Sequence, residues 1–245
     1  MKRTKQVVYN DMLREIELSS QALKLPDKIQ EEATNIFKKY MKKYGLQGKK
    51  IDQYAPAFVY LACKKWNQPI TTKLMNEMFN LDIEIISKNG KGTVISSRKG
   101  SLVIAKIARK IGRELGENFQ PIGIDKYIEM AQAKVLSDDM CKTRAMFLLE
   151  YMKTHDITLN NSPAFAAAVA YLADRLEGYR IPEHDYCIAI GTTEVALRNC
   201  KKKMLKVIPN IKRHGTKYVW KDYGPIKTPV ETGQDNVPNN DNEKQ

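Results

Sequence analysis

A dense group of cations in the last quarter of the chain is the strongest chemical signal in the sequence. Nine lysine or arginine residues, and no acidic residue, occur between positions 195 and 221. A guanidinium group can bond two edge atoms of a guanine, whereas ammonium groups pair with phosphates. Val195 and Arg198, three residues apart, lie where a helix in this region would meet base edges. They are the candidates for contact with bases. The candidates for contact with the DNA backbone, which would add affinity for DNA, are Thr192, Thr193, Asn199, Lys201, Lys202, Lys203, Lys206 and Lys212.

One amphipathic helix, over residues 192–206, must position most of these side chains. At about 100° per residue its apolar side chains fall on the face opposite to the cations. The apolar set is Leu197, Cys200, Met204 and Ile208. Gly191 supplies a turn, Thr192 or Thr193 can cap the helix, and residues 182–190 form a short apolar helix just before it. The pattern predicts a helix-turn-helix, although the face could equally be a solvated surface.

The composition limits the class of protein. With 245 residues, 42% of them hydrophobic, the chain can form one large or two ordinary domains, and its net charge of +13 favours a polyanionic partner such as nucleic acid. No apolar run approaches the ~20 residues that a membrane span needs, so we expect an intracellular protein that does not bind membranes. The four cysteines and three histidines lack ligand spacing, and no metal or cofactor is expected.

The rest of the chain is predicted to be helical, with one small exception. Apolar periodicity indicates helices at residues 8–24, 26–44, 51–66, 71–80, 101–115, 125–135, 137–154 and 163–176. Residues 83–96 contain alternating apolar and polar side chains, then Asn89-Gly90 as a turn, then a β-branched run. This pattern predicts a small inserted β-hairpin. The helix at 101–115 carries a second basic face, which is either a DNA or partner surface or merely solvated. Its cations are Lys106, Arg109, Lys110 and Arg113.

Two of these helices, 51–66 and 163–176, are apolar nearly all round and share a sequence. Val59-Tyr60-Leu61-Ala62 and Ala170-Tyr171-Leu172-Ala173 match at an offset of 111 residues, which indicates an internal repeat of helical units, each built around a buried central helix. We therefore expect an N-terminal helix at 1–24, a first repeat at 25–135 and a second repeat at 136–223. The polar residues 224–245 should form a disordered tail.

These features resemble the cyclin-fold core of transcription factor IIB and its archaeal counterpart, transcription factor B. The resemblance rests on short sequence motifs, which are Leu23-Lys24-Leu25-Pro26, Ile51-Asp52, Tyr60-Leu61-Ala62-Cys63, Arg113-Glu114-Leu115, Ser162-Pro163, Ala170-Tyr171-Leu172-Ala173 and Gly191-Thr192-Thr193-Glu194-Val195-Ala196-Leu197-Arg198. It implies an all-α fold of two tandem five-helix cyclin-like repeats, with the helix-turn-helix in the second. It also implies a transcription initiation factor core that binds double-stranded promoter DNA together with TATA-binding protein. Val195 and Arg198 match the family's readers of the element upstream of the TATA box.

The sequence departs from the family's pattern in two places. The family carries an N-terminal zinc ribbon that docks on RNA polymerase, and no cysteine stands in the roughly 25 residues before the first repeat here, so the chain is either a trimmed core or a natural variant. As a variant it would be a regulatory form that cannot recruit RNA polymerase alone and depends on a ribbon-bearing companion factor. In addition, Ile70 follows Pro69 where the family usually has an arginine.

An alternative function is a cyclin-like protein-protein adaptor without sequence-specific DNA binding. A basic face that continues into the cleft between the repeats would favour DNA, whereas a basic patch beside an apolar groove would favour an adaptor. An enzyme is not expected, because the chain has no phosphate-binding glycine loop and no arrangement of histidine with a nucleophile. As an intracellular DNA-binding protein it would act in the cytoplasm and nucleoid of an archaeon, which we favour, or in a eukaryotic nucleus.

Overall fold

The structure is a computed structural model that describes residues 5–45, 50–79, 85–86, 92–93, 98–155, 162–208, 211–214 and 217–220. Ten helices and four short strands lie in these residues. The first five helices are α1 Lys5–Ala22, α2 Asp27–Tyr44, α3 Ile51–Lys65, α4 Thr72–Phe79 and α5 Arg98–Leu115. The other five are α6 Ile124–Val135, α7 Asp139–Thr154, α8 Ser162–Leu176, α9 Glu183–Ile190 and α10 Glu194–Val207. The all-α class is thereby confirmed.

Helices α3 and α8 form the centres of two helical units. α3 packs against α1, α2 and α5, and α8 packs against α6, α7, α9 and α10. Phe58 of α3 and Phe165 of α8 have no exposed surface, as expected of helices that are apolar on nearly every side. The prediction that these two helices are buried is confirmed, and the matching arrangement around them agrees with the internal repeat.

The packing divides the units differently from the boundary expected at residue 135. α6 packs against α7, α8 and α9, and α1 packs against α2 and α3. We infer that the first unit contains α1 to α5 and the second α6 to α10, so that α1 packs as part of the first unit and α6 as part of the second. The amphipathic pattern of α6 shows that one face is buried but not which unit buries it.

Two antiparallel hairpins accompany the helices, one between α4 and α5 and one after α10. The predicted hairpin near 83–96 is present as β1 Ile85–Ile86 and β2 Gly92–Thr93, and it lies in the connection between α4 and α5. The second hairpin, β3 Ile211–His214 and β4 Lys217–Trp220, was not predicted. Its strand β4 packs on α8 and buries Tyr218. The expected polar tail at 224–245 lies outside the described residues.

A buried carboxylate fixes α9 against the second unit's central helix. Asp174 of α8 accepts hydrogen bonds from the Ser137 hydroxyl, at 2.6 Å, and from the Tyr186 hydroxyl of α9. Burial, and then the bond to Asp174, raise the pKa of Tyr186 above its ordinary value, so Tyr186 remains a neutral donor. The first helix of the helix-turn-helix is therefore attached to the core by a polar contact as well as by apolar packing.

Candidate nucleic-acid interface

Helices α9 and α10 are joined by the short turn 191–193. Gly191 adopts a left-handed conformation, with φ 73° and ψ 46°, and the backbone NH groups of Gly191 and Thr192 both donate to the Cys187 carbonyl at 2.9 Å. Thr193 then caps α10, because its hydroxyl accepts the Ala196 NH at 3.2 Å. Glu194 follows in the first turn, where the helix dipole favours a negative charge. The predicted helix-turn-helix is therefore present, with Thr193 as the cap.

The two faces of α10 separate as the sequence indicates. Leu197, Cys200, Met204 and Ile208 are all buried against the second unit. Val195 stands on the outer side of the first turn with 66% of its surface exposed. The other exposed residues of this helix are Arg198, Asn199, Lys202, Lys203 and Lys206. This helix thus presents an apolar group near its N-terminus and cations along its length.

Arg198 lies between two carboxylates in the free protein. Its Nε donates to Glu183 of α9 at 2.7 Å, and its Nη2 donates to Glu194 one turn earlier at 2.6 Å. The hydrogen bond to Glu183, and then the charge of that carboxylate, raise the pKa of Arg198 above its usual value. The side chain nevertheless keeps 54% of its surface exposed, so the guanidinium is oriented by acids yet remains accessible.

Lys201 occupies a different environment from the other lysines of α10. Its ammonium pairs with Glu183 and lies 4.8 Å from the centre of the Tyr171 ring, and only 14% of the side chain is exposed. Burial alone would raise the pKa of Glu183, but the bonds and charges of Lys201 and Arg198 outweigh it and lower that pKa. Lys201 therefore joins α10 to α8 and α9, and we no longer place it among the phosphate contacts.

Two further candidates for contact with the DNA backbone are Thr192 and Lys212. The Thr192 side chain is buried, so only Thr193 of the two threonines faces outward at the turn. Lys212 belongs to β3, but its side chain lies outside the described residues. Neither the sequence pattern nor the spacing distinguished the buried threonine from the exposed one, because both can cap a helix.

Residues of both units hold the turn of the helix-turn-helix in place. The Thr71 hydroxyl donates to the Gly191 carbonyl at 3.3 Å, and the Lys73 ammonium donates to the Thr192 carbonyl at 2.8 Å. From α6, the Lys134 ammonium donates to the Ala189 carbonyl at 2.9 Å. Cations at the carboxyl end of a helix satisfy its last carbonyls and oppose its dipole. Sequence reasoning missed all three residues, since they lie more than 50 positions from the turn.

The basic residues of α5 do not act as one group. Lys106, Arg109 and Arg113 line a groove between α3 and α5, whereas Lys110 lies outside that lining and approaches Glu114 at 3.9 Å. Within the described ranges, no group of three or more histidine, cysteine or acidic side chains is arranged to hold a metal ion. None of the described helices has the length and apolarity required to cross a membrane.

Comparison with known proteins gives the class and then the family. The two five-helix units, with a helix-turn-helix in the second, define an all-α protein of tandem cyclin-like repeats. Residues 5–89 match the transcription factor TFIIB repeat family. The chain is also 32% identical over 199 residues to a transcription initiation factor IIB from Ignicoccus hospitalis, covering 80% of this chain and 57% of that protein.

Two further relatives carry the same description. The chain is 28% identical over 201 residues to the transcription initiation factor IIB of Pyrobaculum aerophilum, covering 81% of this chain and 54% of the other. For the factor from Methanopyrus kandleri the identity is 25% over 195 residues, covering 79% and 58%. The chain spans little more than half the length of these relatives. The chain is thus similar to transcription factor IIB proteins over about 80% of its length, which confirms the resemblance seen in its motifs and supports its interpretation as a non-enzymatic protein.

Proposed function

We propose that this chain is the DNA-binding core of a transcription initiation factor, and that it binds promoter DNA together with TATA-binding protein. The observation that carries the proposal is the outer face of α10. Val195 and Arg198 stand exposed in its first two turns, and Lys202, Lys203 and Lys206 continue along the same helix. The N-terminal residues of a recognition helix are those that reach base edges in the major groove.

The ion pairs of Arg198 are compatible with base reading on energetic grounds. The pair with Glu194 is solvent-exposed on both sides and therefore weak, whereas a bidentate contact from arginine to guanine discriminates by about 1–3 kcal/mol. Exchange of one acidic partner for a guanine therefore loses less binding energy than the contact with guanine supplies, and the other carboxylate can keep the guanidinium oriented. Val195 would rest on a thymine methyl or exclude a base by its shape.

The lysines of α10 would supply affinity without sequence choice. Each phosphate that a lysine neutralises releases counterions, so the logarithm of the binding constant should fall with a slope of about 0.9 per contact against the logarithm of salt concentration. A single recognition helix offers few contacts, and a second DNA-bound protein that adds contact area raises the overall affinity. TATA-binding protein is the partner that the family relationship suggests for this role.

A gel-shift experiment tests the proposal directly. The chain is added to a labelled TATA promoter fragment with and without TATA-binding protein, and a matched fragment carries a scrambled element upstream of the TATA box. We expect a supershift of the preformed DNA complex that weakens on the scrambled fragment. If no supershift forms at any salt concentration, the alternative of a protein-protein adaptor is favoured instead.

A further inference from the structure

The guanidinium of Arg198 is held at one side and open at its end. Its Nε donates to Glu183 at 2.7 Å, and its Nη2 donates to Glu194 at 2.6 Å. Nη1 has no hydrogen-bond partner among the described residues, and Nη2 carries a second hydrogen. Nη1 and Nη2 form the end of the fork that can bond O6 and N7 of one guanine. The bond from Nε to Glu183 therefore leaves the base-reading end of Arg198 accessible.

The two carboxylates that hold Arg198 differ in how firmly they are fixed. Glu194 lies on α10, one turn before Arg198, and 37% of its side chain is exposed. Glu183 lies on α9, only 14% of its side chain is exposed, and its second oxygen pairs with Lys201. A carboxylate that bonds two cations through its two oxygens is held in one geometry. Glu183 is therefore the fixed partner of Arg198, whereas Glu194 can move.

Lys201 connects Glu183 to the centre of the second unit. Its ammonium lies 4.8 Å from the centre of the Tyr171 ring, which is buried on α8. A cation over an aromatic ring is attracted by the negative face of that ring. The Tyr171 ring is itself fixed, because the buried Tyr186 packs edge-to-face against it with ring centres 5.7 Å apart. The orientation of Arg198 is thus linked, through Glu183 and Lys201, to the central helix.

We propose that Glu183 and Lys201 are positioning residues that set the base preference of Arg198, an inference that rests on the proposed function. They hold the guanidinium in one orientation before DNA binds, so Arg198 loses little conformational freedom when it contacts a base. Ordering of so long a side chain only on binding would weaken the affinity about two- to tenfold. This loss falls on the preferred sequence alone, since other sequences offer Arg198 no base contact.

A phosphate contact by Lys201 fits the structure less well. Its ammonium already pairs with Glu183 and lies over the Tyr171 ring, and 14% of the side chain is exposed. Lys202, the next residue, is exposed and has no ion pair to any described residue. Lys201 should therefore affect which sequence is preferred, and Lys202 how tightly any sequence is bound.

The test compares the affinities for two promoter fragments in the presence of TATA-binding protein, one with the upstream element intact and one with it scrambled. Glu183→Gln and Lys201→Met change the net charge in opposite directions, so a purely electrostatic effect on DNA binding would have opposite signs. Lys201→Arg keeps the cation. Glu177→Gln is the matched control, because Glu177 also forms a little-exposed ion pair in the second unit, but with Arg144 of α7.

We expect Glu183→Gln and Lys201→Met each to lower the ratio of the two affinities about two- to tenfold. Lys201→Arg and Glu177→Gln should change this ratio less than twofold. Lys201→Met should leave the salt slope unchanged, whereas loss of a phosphate contact would reduce it by about one unit. In the free protein, NMR should show faster exchange of the Arg198 Nε hydrogen with water in Glu183→Gln and Lys201→Met than in the wild type.

Melting temperatures identify a variant that does not fold, and the other variant then carries the test. Unchanged ratios in Glu183→Gln and Lys201→Met, with a wild type that prefers the intact element, would overturn this inference and leave the proposed function standing. Changes of opposite sign in these two variants would reduce the effect to net charge, and an equal loss in Glu177→Gln would reduce it to stability. A wild type without preference between the fragments would overturn the proposed function, and this inference with it.

Discussion

Arg198 and Lys202 lie one turn apart on α10, yet the structure gives them different surroundings. Arg198 is oriented by Glu183 and Glu194, whereas Lys202 is exposed with no ion pair to any described residue. An oriented guanidinium suits a base contact and a freely moving ammonium suits a phosphate, because Arg bonds through a fixed planar fork and Lys acts as a point charge. Removal of either charge should therefore have a different effect on DNA binding.

We expect Arg198→Ala to relax base preference at one position by ~1–3 kcal/mol. Lys202→Ala should weaken binding about equally on every sequence and reduce the salt slope by about one unit. Competition binding on matched and mutated upstream elements, at several salt concentrations, separates the two effects. If both variants lose affinity equally and without regard to sequence, Arg198 is only another phosphate contact.

Glu194 should limit the affinity for DNA, since its carboxylate holds Arg198 and lies close to the proposed DNA surface. Glu194→Gln keeps a hydrogen-bond acceptor but removes the charge, so we expect DNA binding to tighten by roughly two- to fivefold at low salt. Glu129→Gln is the matched control, because Glu129 also pairs with a cation on its own helix, Lys126, but on α6. Weaker binding by Glu194→Gln would show that orientation of Arg198 matters more than its release.

Glu183 should make the free energy of unfolding depend on pH in the acidic range. Its pKa is lowered in the folded protein by Lys201 and Arg198, so its contribution is present above the ordinary glutamate pKa and is lost as pH falls through the lower, folded value. Urea unfolding of the wild type and Glu183→Gln, compared between pH 7 and pH 3, should show a difference in the free energy of unfolding that narrows toward pH 3. If the difference in the free energy of unfolding does not change with pH, Glu183 stabilises the protein by some means other than its charge.

At the scale of elements, the turn between α9 and α10 depends on residues from the other unit. Gly191 has a positive φ, and a Cβ there would collide with the Thr71 hydroxyl and lie 3.1 Å from the Leu74 Cβ. Lys73, also of the first unit, donates to the Thr192 carbonyl directly after this position. The first unit therefore helps to set the direction in which α10 leaves the turn.

Gly191→Ala tests that dependence, with Gly116→Ala as its control. Both glycines have a similar φ, 73° and 68°, but only at Gly191 is the space for a Cβ occupied. Gly116→Ala should cost about 1 kcal/mol through the left-handed conformation alone. Gly191→Ala should cost more in thermal unfolding, and it alone should weaken DNA binding. Equal losses of stability with unchanged DNA affinity would mean that Thr71 and Leu74 move aside freely.

The elements show what local sequence can and cannot predict here. Helical periodicity located α3, α8 and α10 to within one or two residues, because each has a distinct apolar pattern. The hairpin β3–β4 was missed, since its four-residue strands lie in a lysine-rich run where charge dominates the pattern. The partners of Arg198 were missed for another reason: Glu183 is 15 residues away, and only the packing of α9 against α10 brings the two side chains together.

At the scale of the whole molecule, the two units repeat the same arrangement but differ at equivalent places. The turn 191–193 joins α9 to α10, whereas the connection between α4 and α5 contains the β1–β2 hairpin. The Tyr171 ring of the second unit lies between the cations of Arg175 and Lys201, whereas the Tyr60 ring of the first has Lys64 over it and borders a groove. These differences show that the two units, although similar in arrangement, present different surfaces.

The repeated arrangement also predicts where the stable part of the molecule ends. Residues 225–245 hold four acidic and two basic residues and little that is apolar, so their removal should change the melting temperature by less than about 2 °C. Removal of everything from residue 217 onward also deletes β4, whose Tyr218 is buried on α8. Burial of such a ring contributes on the order of 2 kcal/mol, which corresponds to roughly 4–8 °C in a chain of this size.

Differential scanning calorimetry of the full chain and the two truncated chains measures both effects. The two truncations differ only by residues 217–224, which include β4, because both remove the same polar tail. A loss of several degrees on removal of residues 225–245 alone would mean that the tail packs on the folded units. Equal melting temperatures for both truncations would show that the β3–β4 hairpin adds nothing to the core around α8, which would then be complete at the end of α10.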